Sequence, residues 1–128
     1  MKKLLFLFIL IAIPAMSQTI PFQSRPDDLI ILTMNVEGKP MRVLLDTGAQ
    51  SNVFRAKLGP QGEIIKMESA SQTTLVHRCA VAVENITVGA VCGVNLPEGQ
   101  DALLGEGFLS QFKSVTINYK EHTVTFVQ

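Results

Sequence analysis

The sequence predicts an all-β fold, a barrel or a sandwich, with one short α-helix near the C-terminus. Three observations predict it. Apolar and β-branched residues recur in short runs with period-two alternation. Gly, Pro, Asn and Asp punctuate those runs at close intervals. No strand–helix–strand rhythm of the kind that builds parallel α/β sheets occurs.

Taken in order, residues 18–28 contain two prolines and read as an extended lead-in. Leu29 to Val36 reads as a strand, Glu37-Gly38-Lys39-Pro40 as a turn and Met41 to Leu45 as a second strand. Together these predict a hairpin whose second arm ends at Asp46. Val53-Phe54 is a short apolar pair returning to the interior, and Arg55 to Gly62 reads as a loop. Glu63 to Glu68 is the next strand. The small polar stretch Ser69-Ala70-Ser71-Gln72-Thr73 suits a hairpin tip that moves, and Thr74 to Val83 is the returning arm. Ile86 to Val88, a Gly89-Ala90 turn and Val91 to Leu96 read as a further hairpin. Pro97 to Gln100 is a surface loop, and Ala102-Leu103-Leu104 a short buried run ending at Gly105. Glu106 to Lys113 is the helix candidate, with Leu109 and Phe112 three apart on one face and two glycines delaying its start. Val115 to Tyr119, the turn Lys120 to His122 and Thr123 to Val127 predict a closing hairpin.

The N-terminus has a different origin. Lys2-Lys3, the apolar run Leu4 to Ile13, Pro14 and then Ala15-Met16-Ser17 describe a secretory signal peptide with its cut after Ser17. The expected organisation is a signal peptide over 1–17, a lead-in over 18–28 and one domain over 29–128. The Lys-Lys start looks bacterial, so the mature chain is expected to be exported, periplasmic or secreted, with no stable membrane insertion. Export removes two of the eleven basic residues, leaving nine against eleven acidic ones and a formal charge of −2. That balance offers no electrostatic footprint for nucleic acid or for an anionic membrane.

Cys79 and Cys92, in an exported chain, are either a disulfide or two buried apolar side chains, and their Cα separation decides which. His and Cys residues are too few and too scattered for a metal signature, so neither metal nor cofactor is expected. Solvent-facing positions are the default for His77 and His122.

The chemistry concentrates at Val43-Leu44-Leu45-Asp46-Thr47-Gly48-Ala49. An apolar strand delivers one carboxylate into a tight turn of small residues, so nothing bulky shields it. A carboxylate at the end of a buried strand is costly unless it is hydrogen-bonded or functional. Gly48 lets backbone approach closely, and the Thr47 hydroxyl can tie the turn to a neighbour. Leu103-Leu104-Gly105, about 55 residues further on, is the second informative stretch.

Together, Leu44 to Ala49, Leu103-Leu104-Gly105 with Phe108-Leu109 behind it, and the closing hairpin resemble the retropepsin-like (retroviral-type) aspartic proteases, specifically their small exported bacterial members. The resemblance spans roughly residues 29–127. It implies a closed acid-protease barrel in which the Asp46 loop sits beside the crossing strand Leu103 to Gly105. It also implies a flap over the cleft around Ser69, Ala70, Ser71 and Gln72, with Leu104, Gly105 and flap residues lining the cleft. Where viral members carry an acid this chain has Gln50. The second motif reads Leu104-Gly105-Glu106-Gly107-Phe108-Leu109, its acid displaced by one from the usual bacterial pattern.

The resemblance further implies an aspartic endopeptidase acting on peptide or protein substrates. Two carboxylates about 3 Å apart cannot both ionise, so they share one proton and serve as base and acid. Only one Asp-Thr-Gly is present, and Asp27, Asp28 and Asp101 lie in no comparable frame. The second Asp46 is therefore expected from a symmetry-related subunit of a homodimer, Thr47 bonding across the axis. The alternatives are a catalytically silent retropepsin-fold binding or assembly module in the cell envelope, and an unrelated secreted β-domain in which Asp-Thr-Gly is only a turn.

Overall fold

The structure, a computed structural model, describes residues 17–68 and 70–128. The predicted signal segment over 1–16, and Ser69 at the predicted hairpin tip, lie outside the described residues. Ten strands and one helical turn follow in chain order: β1 Ser17–Pro21, β2 Ile31–Val36, β3 Lys39–Leu45, β4 Val53–Phe54, β5 Gln61–Glu68 and β6 Thr73–Val83. Then come β7 Ile86–Cys92, β8 Ala102–Leu104, α1 Glu106–Leu109, β9 Ser114–Asn118 and β10 Thr123–Val127.

Local chemistry explains the hairpins. Val36 pairs with Lys39, so Glu37 and Gly38 alone make the β2–β3 turn, with φ of 51° and 84°. Both central residues of a type I′ turn need positive φ, a region Gly enters without steric penalty. Pro40, predicted in the turn, stands in β3 opposite Asn35. The β9–β10 hairpin is as the alternation predicts, Asn118 pairing with Thr123. β1, drawn from the lead-in, pairs antiparallel with β10 from Ser17↔Val127 to Pro21↔Thr123.

Seven strands form one sheet in the order β2-β3-β8-β4-β7-β6-β5, and β1-β10-β9 form a second. An additional β2–β6 pairing, Val36↔Val83, closes the large sheet into a barrel and covers the β2 edge, leaving β5 as the edge strand. Two glutamates clasp this seam. The Glu37 carboxylate accepts the Ala82 N–H at 2.8 Å, and the Glu84 carboxylate accepts the Asn35 N–H at 2.7 Å. Their own N–H groups donate to Ala82 O and Asn35 O in return.

The core follows from strand alternation. Leu32, Met34 and Val36 of β2 point inward while Thr33 and Asn35 face out. Val124 and Phe126 do the same on β10. Phe108, Phe112 and Phe126 pack edge-to-face or tilted with ring centroids 5.0–6.0 Å apart, joining α1 to the second sheet. Each fully buried side chain of this size contributes about 1.5–3 kcal/mol.

Three expectations are corrected. The Gly89-Ala90 turn does not form: β7 runs unbroken, with Gly89 opposite Ala80 and Ala90 opposite Cys79. The 11-residue β6 offers ladder partners along that whole length, and the turn falls at Glu84-Asn85 instead, Glu84 having φ 55°. The helix is four residues long, not eight, and starts at Glu106. Its first two N–H groups are satisfied by Ala49 O and Gln50 O, which sets the start. The Lys113 N–H donates to Val127 O at 2.7 Å, which pulls the chain into the sheet. His77 is buried, not solvent-facing: in β6 it stands opposite Cys92 of β7, and the chain turning at Gly93 lies against its ring.

The cysteines are resolved in favour of the disulfide. Cys79 and Cys92 are bonded across β6 and β7 with Cα atoms 6.0 Å apart, inside the usual range for such a bridge.

Candidate active site

The site is built where β8 slots between two strands that are consecutive in the chain. β3 runs parallel to β8, Leu45 opposite Leu104, and β4 runs antiparallel on the other side, Val53 opposite Leu103. The segment from Asp46 to Asn52 must therefore bridge over the end of β8. Short apolar side chains put Val43 and Leu45 in the core and bring Asp46 to the surface at the strand's end.

Both ends of the bridge hang on adjacent residues of the crossing strand. The Asp46 N–H donates to Leu104 O at 3.0 Å, and the Gly105 N–H donates to Asn52 Oδ1 at 3.0 Å. In the middle, Ala49 O accepts the Glu106 N–H at 2.7 Å. Gly105 lies directly under the bridge: a Cβ there would fall on Ala49 O, with Ser51 O only 2.8 Å away. No residue with a side chain fits, which is the physical content of the Leu-Leu-Gly motif.

The carboxylate itself is half-buried. Its Oδ1 accepts the Gly48 N–H at 2.9 Å, an Asx turn that fixes the side chain over its own loop. Thr47 and Gly48 are exposed and Ala49 half-buried, so one side of Asp46 is open to solvent. Such a group can accept a proton or, when protonated, give one. Two brought together could share one.

Asp46, Thr47, Gly48, Ala49, Leu104 and Gly105 are thus brought into one unit by backbone bonds and by the side chains of Asp46 and Asn52. Leu104 and Gly105, predicted at the cleft wall, are both buried. The Leu104 side chain is fully inside the core, and its carbonyl is the part that faces the loop. At the predicted flap tip Glu68 pairs with Thr73, and Ala70, Ser71 and Gln72 are exposed. Gln72 joins Met67, Thr74, Val76, Val94 and Asn95 around a cavity of about 210 Å³ under this hairpin.

Two of the remaining aspartates are occupied elsewhere. Asp101 accepts the Arg42 N–H, and Asp27 pairs with Arg25, whose guanidinium hydrogen bond holds the Asp27 carboxyl down to about 2. No cluster of three His, Cys, Asp or Glu among the described residues could hold a metal ion.

Two residues of the site escaped sequence reasoning. Asn52 is 3% exposed, and besides receiving Gly105 it donates through Nδ2 to Gly89 O at 3.0 Å. A polar side chain directly before the apolar pair Val53-Phe54 is the only signal that could have found it. Arg55 donates to Pro97 O and Gln100 O, both at 2.7 Å, pinning the loop before β8.

No protein-family model and no curated protein matches the sequence. Among solved structures the chain is similar to a retropepsin-like aspartic protease from Rickettsia conorii. The TM-score is 0.63 at 14% identity, over 89% of this chain and 92% of that one. The bridged β8 and the closed barrel agree with that likeness. The chain has the fold of the retropepsin-like aspartic proteases.

Proposed function

We propose that this protein is an exported aspartic endopeptidase, active as a two-fold dimer whose catalytic pair is Asp46 from each subunit. The observation that carries the reading is Asp46 itself. It is a single half-exposed carboxylate on a loop secured at both ends, in a fold whose similar solved structure is named an aspartic protease. An acid so held, with open solvent on one side, is half of a shared-proton pair.

In the dimer one Asp46 is ionised and the other protonated, the two ionisations belonging to the pair. The ionised carboxylate takes a proton from water as the oxygen adds to the scissile carbonyl carbon. The protonated one gives its proton to the carbonyl oxygen. Collapse of the tetrahedral intermediate breaks the C–N bond, with proton transfer to the leaving amine. Thr47 of each subunit would bond across the axis. The β5–β6 hairpin would cover an extended peptide, whose apolar side chains suit the cavity beside Met67, Val76 and Val94.

The test is peptide cleavage as a function of pH by the wild type, by Asp46→Asn and by the wild type with pepstatin. Loss of both acid–base roles is expected to lower kcat by ~10²–10⁴-fold or more. A folded dimer that cleaves nothing in a broad peptide library between acidic and neutral pH would refute the reading. A strict monomer by sedimentation would favour the binding-module alternative.

A further inference from the structure

We propose that Asn52 is a positioning residue that sets the separation of the two Asp46 carboxylates, and through it the spread of their shared ionisations. This rests on the dimeric reading above. The bridge from Asp46 to Asn52 is fixed to the last residue of β8 and the residue after it, at Leu104 O by the Asp46 N–H and at the Gly105 N–H by the Asn52 side chain. The Asn52 end is tied further, to β7: Nδ2 donates to Gly89 O, and the Asn52 carbonyl accepts the Val91 N–H at 2.9 Å.

Filling space would need only an apolar side chain at this 3%-exposed position. The two directed bonds instead demand one acceptor and one donor on a short planar group. Aspartate has no donor for Gly89 O when ionised, and glutamine reaches too far. Asn52 therefore defines where the loop sits relative to β8 and β7, the two strands that frame it. Asp46 is carried by that loop and feels any shift.

The consequence is electrostatic. Two carboxylates near 3 Å repel strongly, which pushes the first and second proton losses apart. Opening the pair weakens that repulsion, which falls off with distance. A loop released from Asn52 lets the pair open, and the two limbs of the pH–rate profile approach each other.

The experiment compares the exported wild-type protein with Asn52→Ser and Asn52→Thr, whose hydroxyls stop one bond short of the amide and cannot replace both of its bonds. Active sites are counted by pepstatin titration, and kcat and KM are measured from pH 3 to 8. The expected result is a narrower pH profile, its two limbs drawn together. Per titrated site, kcat is expected to fall ~10–100-fold while KM changes little. A residue that merely supported the fold would lower the number of titratable sites and leave the limbs in place. That outcome overturns the proposal, as does failure of both variants to fold. A wild type that cleaves no peptide removes the endopeptidase reading and this inference together, whereas an active wild type with unmoved limbs in the variants removes the inference alone.

Discussion

Gly105→Ala is the perturbation that most directly questions how the Asp46 loop is supported. The added methyl would land on Ala49 O, with Ala49 C and Ser51 O each at 2.8 Å, and all three are backbone atoms that no rotamer change can move. The loop must lift off β8. Inserting one methyl into a packed site costs about 1–3 kcal/mol, and losing the 2.7 Å bond from the Glu106 N–H to Ala49 O adds about 1 kcal/mol. The expected loss is about 2–4 kcal/mol, a fall in Tm of roughly 10–15 °C for a domain of this size.

Gly89→Ala is the internal control. A Cβ there meets nothing within 4 Å, and Gly89 lacks a positive φ. Reduced freedom of the unfolded chain should leave this variant neutral or more stable by about 0.4–1 kcal/mol. The assay is urea unfolding of both variants at one fixed protomer concentration, since dimerisation would make midpoints concentration-dependent. A Gly105→Ala protein within 0.5 kcal/mol of wild type would show that the bridge does not rest on β8 as described.

Two further measurements probe other parts of the molecule. Opening the Cys79–Cys92 bridge, by reductant or by the double change Cys79→Ala/Cys92→Ala, should lower stability by about 2–4 kcal/mol in urea; an unchanged midpoint would contradict it. Asp27, hydrogen-bonded to Arg25, should titrate near 2 by NMR and return towards its ordinary 3.8 in Arg25→Ala. Because the folded value is the lower one, its small stabilising contribution is present above pH about 4 and lost as pH falls through about 2.

The legible parts of the fold share a physical property: they are settled by neighbours in the chain. The Glu37-Gly38 turn and the β9–β10 hairpin need only local twist, positive φ and period-two alternation. Gly89-Ala90 misled because a turn-like dipeptide carries no information about the strand beside it. β6 supplies Ala80 and Cys79 as partners, and the ladder continues through the glycine. His77 misled for the same reason, since Cys92 and the Gly93 turn, further along the chain, lie against it.

The candidate site divides along the same line. By itself the sequence determined a lone carboxylate at the end of an apolar strand, with small residues around it and a Leu-Leu-Gly run far downstream. These are statements about residue type and spacing. Only the tertiary structure decided that Leu104 and Gly105 lie under the Asp46 loop, that Asn52 locks it, and that Leu104 serves through its carbonyl and not its side chain. The reason is the insertion of β8 between β3 and β4. That pairing joins residues far apart in sequence, and its hydrogen bonds are made by backbone groups that every residue carries, so no side-chain pattern announces it.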